Sequence, residues 1–242
     1  MEPHPELTEF YAGEAGKPRF VVDLFDRTAS HYARAERIVS MGSGYLYRRN
    51  ALLRAGLRPG MRVLDVATGT GLMARAALRL GVAPRDLVGI DPSAGMLREA
   101  GRAMPFQMVR GSADALPFAP GQFDFLSMGF ALRHVGDLRN TFAEYRRVLR
   151  PGATLLLLEI SRPASPLGYR IAKAYLQKVV PLVTRLGTRS DSAALMMRYY
   201  WQTIDACVAP QTILGALRDT GFKVARRNTY LGIFSEYRAQ VP

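Results

Sequence analysis

The sequence predicts an α/β protein: a doubly wound, mostly parallel, seven-stranded sheet that ends in an antiparallel hairpin. Three observations carry this. Apolar runs of strand length alternate with stretches of helical periodicity from about residue 61 onward. The links between them are short, as in open sheets with helices on both faces. The first apolar run, Val63–Val66, stops at Thr68-Gly69-Thr70-Gly71 and passes directly into a helix-forming stretch, Leu72–Leu80. Strand, glycine turn and helix together aim bare amides and a helix N-terminus at a ligand.

Residues 1–60 read as a helical cap ahead of the sheet. Val21, Leu24, Phe25, Ala29, Tyr32, Ala35 and Val39 form one apolar stripe over Phe20–Val39. Met41-Gly-Ser-Gly44 breaks that helix, and an arginine-rich helix resumes over Tyr45–Ala55. Leu57-Arg-Pro-Gly60 turns the chain into the first strand.

Residues 61–242 form the main domain. Further strands are expected at Asp86–Asp91, Phe106–Gly111, Phe123–Gly129 and Ala153–Ile160, with helices at Ser93–Ala103 and Asp137–Arg150. Asp137 supplies a cap for the second helix, and Pro151-Gly152 closes it. A helical insertion at about 161–209 is too long for a plain connection. The chain then gives a helix, Pro210–Gly221, and two strands, Phe222–Thr229 and Gly232–Arg238. Their tight link at Tyr230-Leu231 predicts a hairpin at a sheet edge.

The bulk properties narrow the class. At 242 residues, 48% hydrophobic and 22% charged, the chain is long and apolar enough for a sizeable core. Its net charge of +13 favours an anionic partner, or reflects a general preference for arginine. The single cysteine, Cys207, excludes an internal disulfide and a cysteine-based zinc site, and no metal is expected. The first residues lack a basic-then-apolar leader pattern and no run reaches ~20 apolar residues, so a cytoplasmic protein is expected.

Inside the insertion, no acidic residue occurs between Glu159 and Asp191. Arg162, Arg170, Lys173, Lys178, Arg185 and Arg189 are interleaved there with Leu167, Ile171, Leu176, Val180 and Leu182. Such a basic amphipathic segment either lies on an anionic membrane or packs its apolar face on the domain.

Two carboxylates sharpen the glycine turn. Asp65 falls within the first apolar strand, where an unpaired charge is costly. Asp91 ends the second strand, placed either to accept from ribose hydroxyls or to cap the next helix through Asp91-Pro92-Ser93. Gly69 to Ala74 also fits a dinucleotide-binding turn, so a nicotinamide dehydrogenase stands as an alternative.

Taken together, several segments resemble the class I S-adenosylmethionine-dependent methyltransferases, and more closely the ubiquinone/menaquinone C-methyltransferases. They are Leu64-Asp-Val-Ala-Thr-Gly-Thr-Gly71, Asp91-Pro-Ser-Ala-Gly-Met-Leu97, Gly111-Ser-Ala-Asp-Ala-Leu-Pro-Phe118, Phe130-Ala-Leu-Arg-His-Val135 and Leu158-Glu-Ile-Ser-Arg-Pro163. The resemblance implies a Rossmann-like fold and S-adenosyl-L-methionine as cofactor. It places Gly69, Thr70 and Gly71 at the methionine end, Asp91 at the ribose, Ser112 and Ala113 at the adenine edge, and Gly129 nearby. Asp65, Ala67 and Met96 fall within the same motifs. Arg133 matches an arginine of the family's active site, and Tyr199, Tyr200 and Trp201 match a stretch facing the acceptor, where they either stack on an aromatic substrate or form ordinary core of the insertion.

Ser112 stands where the family usually has Asp or Asn, and the departures matter more on the acceptor side. The family's Asn, His and Trp near the N-terminus are here Glu36, Gly44 and Tyr47, and the Asn after the active-site arginine is His134.

For a quinol ring carbon, a neighbouring hydroxyl must ionise, and a phenol's pKa is about 10. Arg133 is expected either to stabilise the phenolate or to pair with a structural carboxylate. His134, with an ordinary pKa of about 6.5, is either the base or a wall residue.

The expected partners are a lipophilic small-molecule acceptor, an anionic membrane surface at the inner face, and a second copy of the chain as a homodimer. A phospholipid or other small-molecule N- or O-methyltransferase would carry the same cofactor motifs. A nucleic-acid role is not expected, because no dense basic tract is interleaved with aromatic residues.

Overall fold

The computed structural model describes residues 1–13, 16–188 and 190–242. Its strands are β1 (Val63–Val66), β2 (Leu87–Asp91), β3 (Gln107–Arg110), β4 (Phe123–Gly129), β5 (Leu149–Ile160), β6 (Lys223–Tyr230) and β7 (Phe234–Gln240). They form one seven-stranded sheet in the order β3-β2-β1-β4-β5-β7-β6. The first five are parallel, and β7 runs antiparallel to both β5 and β6.

The central position of β1 follows from its composition. All four residues of Val63–Val66 are buried, as a parallel strand covered on both faces requires. Side chains alternate across it, so Val63 and Leu64 enter different cores.

On one face lie α1 (Gly16–Val39), α2 (Gly44–Arg54), α3 (Leu72–Arg79) and α4 (Ala94–Ala103). On the other lie α5 (Leu138–Val148) and α9 (Pro210–Asp219), which pack on Leu126, Leu155 and Leu157. Asp137 caps α5 by accepting from Asn140 N–H at 2.8 Å, and Ser93 caps α4 by accepting from Met96 N–H at 3.0 Å.

Several boundaries differ from the sequence reading, two of them with a clear local cause. Strand β5 begins at Leu149, ahead of the expected Ala153, because Leu149 already pairs with Phe123 before a register shift. The hairpin turn covers Leu231 to Ile233, where Leu231 and Gly232 both take positive φ and Ile233 N–H returns to Tyr230 O at 3.2 Å. Positive φ at both positions matches the twist of the flanking strands. The hairpin is at the edge as expected, with β6 outermost.

The insertion is helical. It comprises α6 (Pro166–Ala174), a π turn (Tyr175–Val179), α7 (Val180–Thr188) and α8 (Asp191–Ala206). The π turn leads into Pro181, which has no N–H to continue the ordinary ladder. Leu176 and Val180 are buried with Met196 and Tyr199 of α8, and α7 also packs on α1. Leu167, Ile171, Leu182 and Leu186 remain exposed. Arg189, counted among the insertion's cations, lies outside the described residues.

Candidate active site

Between β1 and β4 the winding of the sheet reverses, and such a switch point opens a crevice at the carboxyl ends of the strands. The backbone is strained there. Ala67, just past β1, has φ +52°, and Phe130, just past β4, has φ +62°, values that cost a non-glycine residue about 1–3 kcal/mol. Phe130 is held in place by its N–H, which donates to Leu158 O at 2.7 Å. A cavity of about 490 Å³ fills the crevice, within the usual range for a small-molecule site.

Most of the expected cofactor residues meet at this cavity: Ala67, Gly69, Asp91, Met96, Ser112, Ala113 and Gly129 all line it. Asp91 receives Gly69 N–H at 2.8 Å on one oxygen and Ser93 N–H at 2.9 Å on the other. It therefore joins the glycine turn to the start of α4, and each oxygen keeps a further lone pair. Burial pushes its pKa up to about 6.

Asp65 lies beneath the cavity and is not among the residues that line it. Its carboxylate accepts from Thr68 Oγ1 at 2.6 Å and Ser127 Oγ at 2.7 Å, and burial raises its pKa to about 6 as well. It braces β1, β4 and the turn.

Gly71 serves packing. With φ +80° it begins α3, and a Cβ there would lie 2.5 Å from Met104 Cε. Gly129 likewise leaves room for Met73. Thr70 is buried, and among the described residues its Oγ1 has no hydrogen-bond partner. Ser112 accepts from Asp114 N–H at 3.3 Å.

On the acceptor side the structure redistributes the expected roles. Arg133 is fully buried, is ion-paired with Glu159, and donates through Nε to Thr203 Oγ1 at 2.9 Å. Its guanidinium lies 4.0 Å from the centre of the Tyr200 ring, and it lines neither cavity described here. The structural carboxylate is thus Glu159, and the Tyr200 ring that Arg133 faces, not Arg133 itself, lines both cavities.

His134 does line the crevice. Its ring stacks on Tyr199, with Nδ1 3.4 Å from the Tyr199 hydroxyl, while Nε2 is buried and unpartnered among the described residues. Burial, with Arg133 and Lys17 nearby, drives its pKa well below 6.5, so it is a neutral imidazole at neutral pH. The ordinary pKa that suggested base work does not survive this environment. Tyr199 is buried edge-on against Phe10 and Phe20, outside both cavities, and its neighbour Tyr200 faces them instead.

A second cavity of about 410 Å³ adjoins the first. Tyr32, Phe130 and Tyr200 line both and form the partition between them. Its remaining wall comes from the end of α1, from α2, from the π turn and from the hairpin tip. Tyr32, although part of the expected α1 stripe, gave no sign of this role. Another long-range feature escaped the sequence reading: Asp26 of α1 accepts from Ser93 Oγ at 2.5 Å and Gly95 N–H at 2.7 Å. No local spacing joins residues that far apart.

A family model described as the ubiE/COQ5 methyltransferase family matches residues 13–239. The chain belongs to that family. It is an S-adenosylmethionine-dependent methyltransferase, and the dinucleotide reading of Gly69 to Ala74 falls away.

This methyltransferase is 32% identical over 225 residues to a demethylmenaquinone methyltransferase of Renibacterium salmoninarum, covering 92% of each chain. It is 30% identical over 237 residues to a ubiquinone/menaquinone biosynthesis C-methyltransferase of Ectopseudomonas mendocina, covering 95% of this chain and 91% of that one. Among solved structures, a methyltransferase from Thermotoga maritima shares the fold, with TM-score 0.64, 21% identity, and 91% and 99% of the two chains covered. So does phosphoethanolamine N-methyltransferase 2 of Haemonchus contortus in complex with S-adenosyl-L-methionine, with TM-score 0.62, 16% identity, and 90% and 57% covered.

The residues of the crevice fit that cofactor. They offer carboxylate lone pairs at Asp91 and an unpartnered ring nitrogen at His134; Thr70, in the adjoining turn and not among the lining residues, keeps an unpartnered hydroxyl.

Proposed function

We propose that this methyltransferase C-methylates a lipophilic, quinol-type aromatic ring. The observation that carries the reading is the pair of adjoining cavities, one under the glycine turn and one walled mainly by apolar side chains, divided only by Tyr32, Phe130 and Tyr200. In this reading the first cavity takes the cofactor, with Asp91 on the ribose hydroxyls, Thr70 and Gly69 at the methionine end, and Ser112 and Ala113 at the adenine. Met96, Ala67 and Gly129 shape the walls, and Asp65 and Gly71 hold the turn.

The bound cofactor supplies an electrophilic methyl group on sulfur. The protein's contribution is position: reacting atoms must be held about 3–3.5 Å apart and aligned. Phe130 and Tyr200 flank the point where the acceptor ring meets the methyl. Arg133 acts through Tyr200, whose ring its charge faces, rather than by touching the acceptor. Neutral His134, stacked on Tyr199, contributes a hydrogen-bonding nitrogen to the wall.

The second cavity lies between the insertion and the hairpin tip, where Leu231, Leu46 and Ile171 are exposed. No helix among the described residues is long and apolar enough to cross a membrane. We read this rim, with Arg170, Lys173, Lys178 and Arg185 nearby in sequence, as the face that meets an anionic bilayer and admits the acceptor's tail.

Methyl-tritiated S-adenosylmethionine with a demethylated prenyl naphthoquinol tests the function. Label recovered in the lipid extract supports it; label recovered only in protein or RNA overturns it.

A further inference from the structure

We propose that Glu36 and Arg48 form a recognition pair that admits the reduced, hydroxyl-bearing form of the acceptor ring and rejects its oxidised, carbonyl form. The proposal rests on the reading above that the second cavity holds the acceptor. Both side chains line that cavity, with Arg48 Nη1 2.7 Å from Glu36 Oε1. Arg48 is 5% exposed, and the side chain of Glu36 19%. Among the described residues Glu36 is the one ion-pair partner of Arg48.

The backbone makes room for this pair. A Cβ at Gly44 would overlap Glu36 Oε1 and lie 2.6 Å from Arg48 Nη1. Any other residue at 44 would push the two groups aside, so Glu36, Gly44 and Arg48 are one structural unit. The unit also adjoins the partition: the Arg48 guanidinium lies 5.0 Å from the centre of the Phe130 ring, on the strained residue that separates the cavities.

A mostly buried ion pair is a weak source of stability compared with apolar packing. This pair stands on the wall of a cavity with room for a ligand rather than within a closed core.

Its chemistry defines that ligand. A carboxylate only accepts hydrogen bonds and a guanidinium only donates them. A phenolic hydroxyl satisfies both at once, donating to Glu36 and accepting from Arg48. A quinone carbonyl has no proton, so beside the pair it would leave a desolvated Glu36 oxygen facing its own lone pairs. Only the reduced ring has a nucleophilic carbon for methylation, so excluding the oxidised ring keeps the site free of an unreactive occupant.

The test is equilibrium binding, under anaerobic conditions and with S-adenosylhomocysteine present, of a short-chain prenyl naphthoquinone and of its dithionite-reduced quinol. The wild-type protein should bind the quinol roughly ten- to hundredfold more tightly, the scale of one unpaired buried hydrogen-bonding group. In Glu36→Gln the amide can donate to a carbonyl, and the preference should fall to about threefold or less. Gly44→Ala keeps both charged groups but displaces them, and should lose the preference as well. Unchanged affinity for S-adenosylhomocysteine shows that each variant is folded.

A wild-type protein that binds both forms equally overturns the proposal, as does a preference retained in both variants. If wild type binds S-adenosylhomocysteine but neither form of the ring, the acceptor reading itself fails and the recognition role falls with it.

Discussion

The two cavities differ in how they are made. The first is centred on the ends of neighbouring strands, at the β1 turn, Asp91 at the end of β2, Gly129 at the end of β4 and Phe130 just past it, and α1 covers it through Val21, Val22 and Phe25. The second is built by side chains from α1, α2, the insertion and the hairpin tip, segments separated by most of the chain. Backbone geometry leaves a trace in local sequence, as glycines and an acid at fixed offsets. A wall assembled from distant helices leaves none. The difference also predicts which chemistry varies: a crevice set by strand ends and a glycine turn serves one cofactor, while a wall assembled from helices can be refitted to another acceptor without disturbing the sheet.

The largest expected effect falls on what both cavities share. Removing Glu159 strands the Arg133 charge behind the Tyr200 partition, so Glu159→Ala should cost about 3–5 kcal/mol in urea denaturation. Replacing both members of the pair with methionine should recover much of that loss. A loss under 1 kcal/mol for the single change would show that Arg133 is not held as described.

Asp91→Asn should separate the two sites. The amide keeps a similar shape but weakens acceptance from Gly69 and Ser93, so affinity for S-adenosylmethionine should fall roughly ten- to hundredfold. Quinol binding, measured separately, should change little. Equal losses in both would argue that the cavities work as one.

Acidity gives a third test. Asp65 and Asp91 have folded pKa values near 6, above the ordinary value of about 3.9. Between those values the folded protein binds more protons than the unfolded chain. Their contribution to stability is therefore fully present below about pH 4 and is lost as pH rises through 6. A rise to about 6 amounts to at most about 3 kcal/mol per group, less where the two carboxylates interact. Asp65→Asn should flatten that part of the stability profile. Cofactor affinity should move the other way, weakening below pH 6 as Asp91 takes up a proton; an affinity constant from pH 5 to 8 would contradict its role at the ribose.

The smallest effect is expected at the outer rim. Leu167→Glu with Ile171→Glu should leave stability within about 0.5 kcal/mol, because both side chains are exposed. Sedimentation with anionic vesicles should nonetheless weaken roughly tenfold. Unaltered vesicle binding would move the membrane-facing surface elsewhere.

Legibility followed the same division. Val63–Val66, the Gly69-Thr70-Gly71 turn and the acid at Asp91 announced the crevice because strand period, turn geometry and helix start all act over a few residues. Arg133 and Tyr199 were expected at the acceptor, but both lie outside the cavities, and their surroundings were not legible. Whether an arginine meets a ligand or a carboxylate depends on Glu159 and Thr203, which the fold brings to it from elsewhere. The pKa of His134 was unreadable for the same reason, since burial and neighbouring charges set it.

By itself, the order of residues determined the alternation of strands and helices, the glycine turn, the acids at the strand ends and the helical character of the insertion, because each rests on short-range steric and hydrogen-bonding preferences. Only the tertiary structure decided that Tyr32, Phe130 and Tyr200 divide two cavities, that Arg133 sits behind that division, and that Gly44 gives way to Glu36 and Arg48. Those outcomes depend on which distant side chains compete for the same space and the same charge, and that competition exists only once the chain has folded.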